Sequence, residues 1–260
     1  METLELQKNL KLFYDYYIEK LKNYNSLIFV PDIKNDCSLK INRTVSNDLL
    51  KDNAISNFQA QQPLNFDDIE SLKKKIVNCV DCEYHQTRNK AALGTGAQNP
   101  IVMFIGKAPK SDGDKIGHAF AGTVADTIKA ILEKVLFIDM KQVYLTNAVK
   151  CKPSKSAISK KNIDICKKYL IAEILLIKPK IICAMGNEAI YALLGEQLKD
   201  ESGIMQNHGT IYHYNDIPVL LTLNPSSFLE HSDPEQKKKR IVFEDMKKLK
   251  ILIDKIKGAK

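Results

Sequence analysis

IVMFIGKAPKSDGDKIGHAFAGTVADTIKAILEKV, residues 101–135, decides the fold class. The five apolar residues Ile101–Ile105 are too few for a buried helix and end at a glycine, so they read as a fully buried strand. A glycine-punctuated, lysine-bearing connection, residues 106–122, follows. Beyond it, Val124–Val135 places apolar residues at helical spacing. This strand–loop–helix unit recurs downstream. Strands are predicted at Val143–Thr146, Ile181–Met185 and Val219–Thr222, and helices at Lys160–Lys178 (stopped by Pro179), Asn187–Leu194 and Pro234–Ile256. The last helix carries Val242, Met246, Leu249, Ile253 and Ile256 on one stripe, which predicts packing onto a sheet. Buried strands alternating with helices imply a three-layer α/β/α sandwich around a mostly parallel sheet.

In such sheets, sites form beyond the carboxyl ends of the strands. Here those ends carry Gly106-Lys107, Asn147, Gly186-Asn187 and Asn224-Pro225, so small and polar groups converge on one rim. The 106–122 connection is not a phosphate cradle. It lacks GxxxxGK followed by Ser or Thr, and its lysine follows the first glycine rather than the last.

Upstream, residues 1–75 read as an extension of different character. A helix is predicted over residues 3–23, a polar, irregular linker from Asn23 to about Asn65, and a second helix over Asp67–Asn78. Residues 76–260 form the α/β domain. No apolar run approaches the roughly 20 residues of a membrane span. The first residues lack the apolar core of a signal peptide, so the expectation is a cytoplasmic protein with reduced cysteines. The net charge is +8. Basic and acidic residues balance within 1–75, so the excess belongs to 76–260. Such a domain is expected near polyanions, nucleic acid first, although a lysine-rich composition also serves solubility.

Four of the six cysteines form a pattern. Cys79-Val80-Asp81-Cys82 is a CxxC pair, and Cys151 and Cys166 can complete a set of four thiolates. Zinc and an iron–sulfur cluster both accept four thiolates, and spacing does not separate them. Cys37 has no partner pattern, and Cys183 lies inside an apolar strand, where burial accounts for it. A full thiolate set leaves no open metal position, so its role would be a structural staple.

The order of motifs resembles the family 4 uracil-DNA glycosylases, the iron–sulfur branch of the uracil glycosylase superfamily. Their pattern runs CxxC, GExPG, GxPFVG, TNxVKCRPP, a further cysteine and a closing HPxxLLR loop. This chain shows Cys79-x-x-Cys82, Gly106-Lys107-Ala108-Pro109-Lys110 and Gly117-His118-Ala119-Phe120-Ala121-Gly122. Then follow Thr146-Asn147-Ala148-Val149-Lys150-Cys151-Lys152-Pro153, Cys166 and Asn224-Pro225-Ser226-Ser227-Phe228-Leu229-Glu230. The resemblance covers roughly residues 76–256. It implies a monomeric hydrolase that excises uracil from single-stranded or uracil-containing duplex DNA, with a 4Fe–4S cluster on Cys79, Cys82, Cys151 and Cys166.

The chemistry gives the other residues their implied roles. Uracil must leave the stack before its C1′–N1 bond can break. Phe120 would stack the base, with core filling as the plain alternative. Asn147 offers the donor and acceptor that uracil N3–H and O4 require, with a strand-end turn as its alternative. Gly106 and Ala108 would line the base pocket. Asn224 would donate to uracil O2 as negative charge develops there. Ser226, Ser227 and Lys152 would contact DNA, among basic residues that include Lys150, Lys155, Lys160 and Lys161. Three departures stand out: Lys107 replaces a glutamate, Asn224 a histidine and Glu230 an arginine. The NPS sequence at Asn224 resembles the mismatch-specific branch of the superfamily. Asp112 or Asp114 could supply the carboxylate that Lys107 does not. The alternative function is a weakened or inactive glycosylase-like protein that binds DNA.

Overall fold

The computed structural model describes residues 66–154, 157–195, 203–229 and 237–258. The helix predicted over 3–23, the linker, Cys37, Lys155 and Glu230 lie outside them. Six strands form one sheet: β1 Thr95–Gly96, β2 Val102–Gly106, β3 Val143–Asn147, β4 Ile181–Met185, β5 Ile211–Tyr214 and β6 Ile217–Thr222. Their order is β1-β3-β2-β4-β6-β5. The central β3-β2-β4-β6 set is parallel, and β1 and β5 pair antiparallel at the two edges. β2, β3 and β4 are buried along their whole length, which is why they read as unbroken apolar runs. Cys183 is among these buried residues, as expected.

The helices are α1 Ile69–Val77, α2 Ser111–Ile116, α3 Gly122–Ile131, α4 Lys160–Ile177, α5 Asn187–Leu194, α6 Ile204–Asn207, α7 Ser226–Leu229 and α8 Lys237–Gly258. One sheet face carries α4 and α5, with α1 against α4. The other carries α8, which packs on β4, β6 and the turn of π-helix Leu132–Leu136 that continues α3. Leu72 and Ile76 of α1 are fully buried, as are Leu249 and Ile253 of the predicted α8 stripe. The three-layer α/β/α sandwich is therefore as expected.

Local signals explain most boundaries. Lys178 ends α4 in the left-handed region at φ 53°, immediately before Pro179. Asn215 and Asp216, at φ 45° and 65°, make the two-residue turn that joins β5 to β6. The 106–122 connection differs from expectation by holding a helix, α2. Gly113 inside it hides the helical pattern. A β-carbon there would stand 2.5 Å from the His118 carbonyl oxygen, so the close approach of two backbones requires glycine. Among the described residues no helix is long and apolar enough to cross a membrane.

Candidate active site

Gly106 ends β2 beside Asn147, which ends β3, and the two are register partners. A β-carbon on Gly106 would stand 2.5 Å from Asn147 Oδ1 and 2.9 Å from Phe120 Cζ. An amide and an aromatic ring thus close over a glycine at the strand end. Phe120 is half-buried at the rim, whereas Asn147 is buried. Asn147 Nδ2 donates to the Ala119 carbonyl at 2.7 Å. Because that partner is a carbonyl, the amide orientation is fixed, leaving Oδ1 and one N–H for a ligand.

Asn224 follows β6 and heads α7. Its Oδ1 accepts from the Ser226 backbone N–H at 3.0 Å, while its carbonyl accepts from Ser227 Oγ at 2.8 Å. A backbone N–H can face only the amide oxygen, so the Asn224 NH₂ is directed away from the turn. Ser226 and Ser227 therefore serve to hold Asn224, a role the sequence reading did not give them.

The two aspartates of α2 diverge. Asp114 is buried and accepts from the Asn89 backbone N–H at 3.0 Å and from Asn89 Nδ2, so both oxygens are engaged. Asp112 is exposed and lies over Gly122 at the start of α3. Lys107 sits beside the half-exposed Ala108 and forms an ion pair with Glu188 of α5, Nζ to Oε1 2.7 Å. Glu188 was not singled out from the sequence. Its position two residues beyond Gly186, on a strand end of the same rim, was the available signal.

Beside Asn147 lies a buried polar network. Lys150 Nζ donates to Glu173 Oε2 at 2.5 Å, Thr146 Oγ1 at 2.7 Å and the Asn147 carbonyl at 2.9 Å. Both side chains of the Lys150–Glu173 pair are almost fully buried. Lys150 is therefore no DNA contact, contrary to its placement among the basic residues above. Its charge is neutralised inside, where it holds the backbone of Asn147. Burial and the Glu173 carboxylate push the Tyr144 phenol well above its usual range. Glu173 was missed by sequence reasoning, although one carboxylate in the apolar run Tyr169–Ile177 was its signal.

The four patterned cysteines line one recess together with Arg88 and Tyr169. Arg88 Nη1 donates to Cys151 Sγ at 2.9 Å, and Nη2 donates to the carbonyls of Val77 and Cys79. The Lys150 backbone N–H points at Cys166 Sγ, 3.3 Å away. Asp81, inside the CxxC turn, accepts from Lys168 and from the Tyr169 hydroxyl, which ties the turn to α4. Burial raises the thiols of Cys82 and Cys151 and pushes Cys166 up to about 12. Among the described residues, no group of three or more His, Cys, Asp or Glu is set to hold a metal ion. Four sulfurs nonetheless line one cavity, two of them faced by N–H donors. Lys152, half-buried, follows Cys151 directly in the chain.

Comparison with known proteins identifies the family of the chain. The family model for the uracil DNA glycosylase superfamily matches residues 93–247. A type-4 uracil-DNA glycosylase of Sulfurisphaera tokodaii is 29% identical over 191 residues, covering 72% of this chain and 85% of the relative. One from Pyrobaculum aerophilum is 32% identical, covering 52% and 72%. Another, from Thermotoga maritima, is 27% identical, covering 72% and 95%. The matched segment runs from the loop before β1 into α8 and takes in Gly106, Phe120, Asn147 and Asn224; the chain belongs to the uracil DNA glycosylase superfamily.

Proposed function

We propose that the protein is a DNA-repair hydrolase that cleaves the C1′–N1 bond of flipped-out uracil in DNA and leaves an abasic site. The observation that carries this reading is the closure of Phe120 and Asn147 over Gly106 at the C-terminal rim of the sheet. A flipped base stacks on the Phe120 ring. Asn147 Oδ1 accepts from N3–H, and its remaining N–H donates to O4. Cytosine has no N3–H and an amino group at C4, so both contacts fail for it. As the bond breaks, charge gathers on uracil O2, where the Asn224 NH₂ donates. The loop after β2 frames the sugar side, with Gly106 and Ala108 against the base.

We assign a 4Fe–4S cluster to Cys79, Cys82, Cys151 and Cys166, in a monomeric protein. The fit rests on four sulfurs around one recess and on the donors of Arg88 and Lys150. Four occupied thiolates leave no site for substrate, so the cluster's chemistry is that of a cross-link between the CxxC turn, the loop after β3 and α4. To hold the cluster, the thiols would give up their protons, which burial otherwise keeps on Cys82, Cys151 and Cys166. Lys152, Ser226 and Ser227 are assigned to the DNA strand flanking the flipped nucleotide.

The test is uracil release from single-stranded, U·A and U·G oligonucleotides by the brown, cluster-loaded protein. Asn147→Ala is expected to lower single-turnover release by about 10²-fold or more, consistent with the loss of an oriented amide at a reacting site. No abasic product from any of the three substrates would refute the reading.

A further inference from the structure

The rim holds one ion pair that the roles above do not use. Lys107 follows Gly106 directly and so stands at the wall of the base recess. An ammonium there opposes the positive charge that develops at C1′ when the glycosidic bond breaks. Glu188 answers it from the first turn of α5, just beyond the neighbouring strand, with Oε1 2.7 Å from Lys107 Nζ. Its other oxygen lies near Gly186, which also neighbours Asn224. A β-carbon on Gly186 would stand 3.8 Å from Glu188 Oε2 and 3.4 Å from Asn224 Cβ. The pair is partly open to solvent, with side-chain exposures of 32% and 22%. Along the rim the order is Asn147, Lys107, Glu188, Asn224, because β3, β2, β4 and β6 are adjacent in that order. Glu188 is thus between the groups that hold uracil at its two ends. Asp114 is taken up by Asn89, and Asp112 lies over α3.

We propose that Glu188, oriented by Lys107, is the carboxylate that faces the reacting sugar and holds the attacking water. This rests on the uracil-excising reading above. The C1′–N1 electron pair leaves with uracil, and the water oxygen adds to C1′. The water's proton passes to Glu188 Oε2 and then to solvent, and the uracil anion takes up a proton from solvent. Lys107 is the positioning residue: its ammonium fixes Oε1, and the water is held at Oε2. Its own charge is cancelled within the pair, and the sugar therefore meets a carboxylate rather than an ammonium.

Single-turnover uracil release is measured for the cluster-loaded native protein, Glu188→Gln, Lys107→Gln and the double variant, alongside binding to uracil-containing DNA and melting temperature. Glu188→Gln is expected to lose about 10²–10⁴-fold in rate, the range of a positioned acid–base group, with DNA affinity and melting little changed. Lys107→Gln should lose less, and the double variant should stay as slow as Glu188→Gln. Recovery in the double variant would mean that Glu188 serves only to neutralise Lys107, and would overturn the proposal. So would a Glu188→Gln rate within threefold of native, with the glycosylase reading left standing. A native protein that releases no uracil sinks both. If Glu188→Gln melts much lower, Glu188→Asp decides. It keeps the charge on a shorter stem, so a loss of at least tenfold with native melting supports the role and an unchanged rate overturns it.

Discussion

Asn147 and Phe120 meet over Gly106 so closely that the pocket is defined by an atom that is missing. Replacing Gly106 with alanine puts a β-carbon 2.5 Å from Asn147 Oδ1 and 2.9 Å from the Phe120 ring, well inside contact distance. Both groups must then move by about 0.5–1 Å, and misplacement on that scale costs about 10²-fold in rate. Gly106→Ala is therefore expected to lose at least that much single-turnover uracil release while its melting temperature falls only slightly. Near-native release by this variant would show that the two groups do not act on the base. At this scale the sequence was informative about identity and silent about commitment. Asp112 and Asp114 were equivalent candidates on paper, yet Asp114 is bound to Asn89 and Asp112 sits over α3. Lys107 read as a charge of the wrong sign because its partner, Glu188, is far away along the chain.

Two buried carboxylates pin helices to strand ends, with opposite consequences. Glu173 of α4 neutralises Lys150 beneath Asn147. Removing one partner of such a pair leaves an uncompensated buried charge, at a cost of about 3–5 kcal/mol. Glu173→Gln is expected to lower unfolding free energy by that amount in denaturant titration, and adding Lys150→Met should recover much of it. A loss below about 1 kcal/mol would show that the pair is hydrated. Asp245 of α8 accepts from Thr222 Oγ1 at 2.7 Å and lies 3.1 Å from His208 Nδ1, with Lys248 close by on Gly209. Burial outweighs these partners and raises its pKa above the usual carboxylate value. A raised folded pKa means that its stabilisation is complete below the unfolded value of 3.8 and is lost as pH rises through the folded value. The stability gap between native protein and Asp245→Asn should therefore favour the native protein most near pH 4 and shrink toward pH 7. A gap that widens with pH would reverse the assignment. Asp245 could not be ranked from sequence, since it is one of several acidic residues on an amphipathic helix, whereas Glu173 stands alone in an apolar run.

Across the whole molecule, the strand–helix alternation from Ile101 onward determined the α/β/α class, because buried parallel strands must be apolar on both faces and their crossovers must be helical. It also gathered the strand ends on one rim, since parallel strands end together. Motif order in the chain carried the superfamily, and the CxxC pair with two later cysteines marked the four cysteines that line one recess. Gly113 concealed α2, and β1, at two residues, is too short to leave a period. Tertiary structure alone decided the charges. It buried Lys150 against Glu173, set Lys107 against Glu188, and faced Cys151 with Arg88. The physical reason is one of range. Periodicity and turn chemistry act between near neighbours and are written in consecutive residues, whereas an ion's meaning depends on whichever distant segment folding brings within about 4 Å.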